Sequence, residues 1–197
     1  MSRTDLDRQL TTLRANIADL AQFVDALLDR ALTSVATGDG YDARLAQSRE
    51  DEFDQTCEAV EEQAVTILTL QQPVLAHDLR LVVAALVVAQ RLQRVGHNAL
   101  GVAGLAVDLA GLGAAEAPPP ALLALARDAR GMLHDAMQAL LARDAAAAGQ
   151  VVARDATVDG AYRALRDELL AQHASVPPDE TLHRRLTFWI WIAHKLE

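Results

Sequence analysis

Eight apolar residues, Leu6, Leu10, Leu13, Ile17, Leu20, Val24, Leu27 and Ala31, recur at alternating spacings of four and three. No strand can hold such a pattern on one face, because its side chains alternate every two residues. A helix can, and the spacing averages about 3.5 residues, the period of a helix packed lengthwise against others in a bundle. Thr37-Gly-Asp-Gly40 ends the stripe, with Gly38 as a C-cap and Asp39 placed to N-cap the next helix. A second helix is predicted from about Tyr41 to Gln72, stopped by Pro73, and a third from about Leu75 to Leu112. Gly113 to Pro120 reads as a linker, and three further helices fit 121–143, 146–173 and 179–197.

The second half repeats the first. Ala31 to Asp39 resembles Ala136 to Asp144. Glu50-x-x-Phe-Asp54 comes after Asp39 at the interval by which Asp155-x-x-Val-Asp159 comes after Asp144, and Ala89-Gln-Arg-Leu-Gln93 resembles Ala193-His-Lys-Leu-Glu197. The expected fold is all-α: two tandem three-helix bundles related by a pseudo-repeat, over residues 1–114 and 115–197. On the repeat, the counterpart of residues 94–113 is missing after Glu197, so the second bundle is expected to have a shortened, truncated last helix and either to self-associate or to be less stable than the first.

Composition narrows the chemistry. With 27 acidic against 18 basic residues the formal charge is -9, which argues against nucleic acid as a partner. The single cysteine, Cys57, excludes an internal disulfide and suits a reducing, cytoplasmic setting. The polar N-terminus lacks the apolar core of a signal peptide, and no apolar run reads as a membrane span. Metalloprotease, phosphate-loop and nucleophile motifs are missing, so an enzyme is not expected.

The residues that carry chemistry are carboxylates. Glu50 and Asp54 lie one helical turn apart beside a core stripe of Phe53, Cys57, Val60 and Ile67; Asp155 and Asp159 flank Val158, Tyr162, Leu165 and Leu169 in the same sense. Seven acids fall between Glu50 and Glu62, and no Lys or Arg occurs from Glu50 to Leu79. Such a face calls for a cation from elsewhere in the fold, from solvent, from a metal or from a partner. Oxygen ligands suit iron, manganese or magnesium. Cys57 reads as a small buried hydrophobe, Gly96, Gly101 and Gly104 as points of close helix approach, Trp189 and Trp191 as core and edge, and Glu180-x-x-His183 as helix-start chemistry. Asp78 suits the N-terminal turn of its helix, with Arg80 pairing with it or with the acidic second helix, or both making a partner contact.

Glu50-Asp-Glu-Phe-Asp54, Gln71-Gln-Pro-Val-Leu-Ala-His-Asp-Leu-Arg80, Gln93-Arg-Val-Gly-His97, Asp155-Ala-Thr-Val-Asp159 and Lys195-Leu-Glu197 together resemble the PhoU family over nearly the whole chain. The resemblance implies a cytoplasmic, non-catalytic negative regulator of phosphate uptake and starvation signalling. Such a regulator couples a phosphate ABC transporter ATPase to a sensor histidine kinase, meets the membrane only through those partners, and is expected to be a homodimer. It also implies metal ligands at Glu50, Asp54, His97, Asp155, Asp159 and Glu197, with iron, zinc, manganese or magnesium as candidates, and partner contacts at Asp78, Arg80 and Arg94. Where the family carries two acids, this chain has Gln93 and His97, which weakens any metal set. The alternative is a carboxylate-bridged metal protein, an oxidase or a metal store, and a third reading is a purely structural helical dimerisation module.

Overall fold

The computed structural model describes residues 3–70, 76–113, 116–175 and 179–197. The predicted stop at Pro73, the first five residues of the Gln71 motif and the boundary at 114–115 lie outside them. Among the described residues there are seven helices and no strand: α1 Arg3–Thr37, α2 Tyr41–Gln47, α3 Glu50–Leu70, α4 Ala76–Gly111, α5 Pro120–Ala142, α6 Ala145–Ser175 and α7 Glu180–Leu196. The expected second helix is therefore divided. The Ser48 hydroxyl donates to Leu45 O at 2.9 Å, competing for a carbonyl of the helical ladder, and α3 starts after this turn.

The chain forms two compact units. One contains residues 1–24 and 49–97, the other residues 25–48 and 98–197. In the first, Leu6, Leu10, Leu13, Ile17, Leu20 and Val24 of α1 are all buried, as are Phe53, Cys57, Val60 and Ile67 of α3. Phe53 packs edge-on to Phe23, and Asn16 donates to Gln63 Oε1 at 2.7 Å. The tightest contact is at Gly96 of α4, where an added Cβ would lie 2.1 Å from Phe53 Cζ. Gly96 is needed because the aromatic ring occupies the place of its side chain.

In the second unit α5, α6 and α7 pack on one another. Leu122, Leu125, Leu165, Leu169, Leu186, Trp189 and Ile192 form their core. Val158 and Tyr162, expected in that core, are only half-buried. The last turn of α7 reaches α6 at Tyr162, whose hydroxyl lies 3.2 Å from His194 Nδ1, so the tightly packed part of α6 begins at Leu165. Trp191 is exposed, as its edge position implied. Gly101 and Gly104 of α4 face Lys195 and Gln47, with an added Cβ 2.5 Å from Lys195 Nζ and 3.4 Å from Gln47 Nε2. Arg130 of α5 donates to both carboxylate oxygens of Asp25 at 2.7 and 2.8 Å and also meets Asp29. That hydrogen bonding holds the Asp25 carboxyl below the usual carboxylate range.

The repeat is visible in its turns. Gly38 has φ +72° and Arg143, its counterpart, has φ 57°, so both sequence repeats leave a helix through a left-handed residue. The next residue is an aspartate in each. Asp39 accepts from Tyr41 N at 3.0 Å, although the N-cap position of α2 is Gly40; Asp144 accepts from Ala146 N and Ala147 N, both at 2.9 Å. An arginine holds this conformation at a steric cost that glycine avoids. Arg143→Gly is expected to stabilise the protein by about 1 kcal/mol, measured by chemical denaturation; a loss of stability would show that the Arg143 side chain makes a contact worth more than the strain.

Candidate functional site

The acidic face is built on α3. Three of its acids, Glu50, Asp51 and Glu52, occupy the first turn, where carboxylates complement the positive end of the helix dipole. Phe53 and Cys57 point into the core and carry the intervening Asp54 to its edge. Asp54 is half-buried, and its Oδ1 is closed off from solvent without a hydrogen-bond partner. His97 Nε2 lies 3.3 Å from that oxygen, close enough for an ion pair when the ring is protonated but not aligned as a hydrogen bond. The His97 ring meets Phe53 edge-on at 5.6 Å. Gly96 admits Phe53 and so places the next residue, His97, beside Asp54.

The counter-charge missing from the local sequence comes from two sides. His97 serves Asp54. Arg49 grips Glu52 through two hydrogen bonds of 2.8 Å while its guanidinium lies 4.1 Å from the centre of the Phe23 ring. The Arg49 guanidinium holds the Glu52 carboxyl below its ordinary range. Glu50 is exposed and Glu61 half-buried. Cys57 is buried, and burial, with Asp54, Glu61 and Glu58 nearby, pushes its thiol up to about 11. A thiol held protonated at neutral pH is no nucleophile.

The second carboxylate pair is not gathered in this way. Asp155 is exposed, Asp159 pairs along its own helix with Arg163 at 3.0 Å, and Glu197 lies 3.9 Å from His194. Among the described residues no three His, Cys, Asp or Glu side chains are grouped as a metal ion would need. The donor set at Asp54 and His97, with an amide at Gln93, does not fit a multinuclear carboxylate centre.

Of the three candidate partner-contact residues, Asp78 is buried and bonded to Arg3 at 2.6 Å, with His77 Nδ1 3.5 Å away. The Arg3 hydrogen bond depresses its carboxyl below the usual range. Its partner is thus Arg3, 75 positions away in sequence, and not Arg80. Arg80 and Arg94 are exposed. No local pattern marks Arg3, Asp25 or Arg130 as partners of distant residues. Arg185 does carry a signal: it shares the phase of Trp189 and Ile192, the buried stripe of α7, where a charge is out of place.

The model of the PhoU domain matches residues 17–106 and again 122–197. The chain belongs to the PhoU family. Its two matches give the pseudo-repeat independently of the turns. Among curated relatives, a "Phosphate-specific transport system accessory protein PhoU homolog" of Pseudomonas putida is 26% identical over 189 residues, covering 96% of this chain and 72% of the relative. A protein of the same name from Clostridium acetobutylicum is 21% identical over 197 residues, covering all of this chain and 88% of the relative. The crystal structure of PhoU from Pseudomonas aeruginosa superposes with a TM-score of 0.87 at 25% identity, covering 96% of this chain and 89% of that one. Within the PhoU fold, then, this chain carries acids along α3 and sets an imidazole beside Asp54.

That arrangement makes the acids a source of repulsion more than of structure. The double variant Glu50→Gln with Asp54→Asn is expected to keep or raise stability, by up to about 0.5 kcal/mol, in metal-free buffer. A clear fall in melting temperature would contradict it and assign these acids a structural bond.

Proposed function

We propose that this PhoU-family chain is a regulatory adaptor of phosphate uptake and phosphate-starvation signalling. It acts by binding partners and not by catalysis. The single observation that carries the reading is the double family match across both halves of a chain whose relatives are named as accessory proteins of a phosphate-specific transport system.

The geometry is in keeping with it. Glu50, Asp51, Glu58 and Glu62 of α3 stand exposed, and so do Arg80 and Arg94 of α4. A surface charged in this way steers and orients a protein partner at little cost in stability. No described helix is long and apolar enough to cross a membrane. In this reading the partners are the ATPase of a phosphate ABC transporter and a sensor histidine kinase, the chain represses the starvation response when phosphate is plentiful, and a second copy of the chain completes a homodimer. A divalent ion at Asp54 and His97, whether iron, zinc, manganese or magnesium, enters only as a weakly held addition, since two donors leave most of its coordination to water.

The test is affinity capture from cells of the native host with the tagged chain, beside a phosphate-starvation reporter in a strain lacking it. The expected result is recovery of the transporter ATPase and the kinase, with reporter activity high in rich phosphate until the chain is restored. A strain whose reporter tracks phosphate normally without the chain would overturn the reading. Charge reversal at Arg80 and Arg94 together is expected to weaken capture about tenfold or more while leaving the melting temperature unchanged.

A further inference from the structure

A buried cation in the second unit has no counter-ion. Arg185 of α7 is only 5% exposed. Its Nη2 donates to Gly113 O at 2.7 Å, and that is its only hydrogen bond among the described residues. It forms no ion pair among them, and residues 1–2, 71–75, 114–115 and 176–178 include no Asp or Glu. A guanidinium has five N–H donors, so most of this one's have no partner among the described residues, and its nitrogens are not among the side-chain atoms closed off from solvent. Burying a full charge without a partner is costly.

The side chain borders a cavity of about 180 Å³ lined also by Ser34, Gly38, Gly113, Glu116 and Trp189. Trp189 is likewise 5% exposed, and its indole N–H has no acceptor among the described residues and is not closed off from solvent. The α1 and α4 C-terminal turns border the same space, and their partial negative charge draws Arg185 inward. Of those terminal carbonyls, Ser34, Leu109 and Ala110 are already bonded to Gly38, Leu112 and Gly113 N–H groups. There remain a cation and an indole donor on a space too small for a nucleotide or a drug-sized molecule, which fill about 300 Å³ or more.

We infer that this cavity binds a small inorganic oxyanion of the size of phosphate or sulfate, held by Arg185 and Trp189. The planar guanidinium fork matches two oxygens of such an ion, and the indole donates to a third. Glu116, exposed at the rim, competes: its carboxylate repels the ion and is the one acidic side chain lining the cavity. The inference does not rest on the adaptor reading, since binding of an ion to purified protein and capture of partners are separate measurements.

The test is titration of the full chain with sodium phosphate, sulfate, acetate and chloride at matched ionic strength, monitored by the Trp189 indole N–H resonance. A saturable shift with phosphate or sulfate, and none with chloride or acetate, is expected. Arg185→Lys should weaken it about tenfold or more by removing the fork, and Glu116→Gln should strengthen it severalfold. If Arg185→Lys does not fold, the Glu116→Gln gain and the anion selectivity still decide. No shift in the folded wild type overturns the proposal, even if Glu116→Gln responds, because Glu116 is then the natural occupant. An equal response to every salt, or one that Arg185→Lys leaves unchanged, overturns it as well.

Discussion

The first unit depends on one steric fit, the Phe53 ring seated on the bare backbone of Gly96. With the ring atoms 2.1 to 2.8 Å from where a Cβ would stand, α3 and α4 can approach this closely only if residue 96 has no side chain. The fit fixes the register between the two helices. That register goes with the burial of Cys57 and Val60, the edge-on meeting of Phe53 with Phe23, and the juxtaposition of Asp54 and His97. The acidic face is therefore a consequence of core packing: its charges sit where the aromatic contact puts them.

In the second unit the organising element is a pair of like turns. Gly38 and Arg143 adopt the same left-handed conformation, and Asp39 and Asp144 each take up backbone N–H groups of the next helix. Glycine supplies the conformation freely and arginine at a cost, which shows the repeat preserved in geometry where it has drifted in residue type. Charges tie the packing together. Arg130 clips Asp25 and Asp29, and Arg185 enters the core region to meet Gly113 O.

Most of the fold was legible because it rests on periodicity. The α1 stripe is buried at every predicted position, and the boundaries of α5, α6 and α7 agree with the sequence reading to within a residue or two. The division between α2 and α3 was not legible: a serine inside a helical pattern is ordinary, and only its bond to Leu45 O shows that it breaks the ladder. The candidate site was legible in part. Glu50 and Asp54 share a helix, so their spacing predicts their neighbourhood; Gly96 reads from its place inside a helix as a point of close approach, and the His97 position came from the family resemblance. The Arg3–Asp78 bond joins residues from the start of one helix and the start of another, and nothing local in either segment marks the partner. The second carboxylate pair recurs in sequence but not in surroundings, since Asp159 turns to Arg163 on its own helix.

The central claim is that the Phe53–Gly96 contact sets the register on which the acidic face depends. A double-mutant cycle tests it most directly, with Gly96→Ala measured by chemical denaturation in the parent and in a Phe53→Leu background. Leucine lacks the three ring atoms that crowd the position. In the parent, Gly96→Ala should destabilise by about 2 kcal/mol or more through overpacking. In the Phe53→Leu background it should become neutral or stabilise by up to about 1 kcal/mol, as alanine normally does in a helix. Equal costs in both backgrounds would contradict the account, because the glycine would then serve something other than the ring.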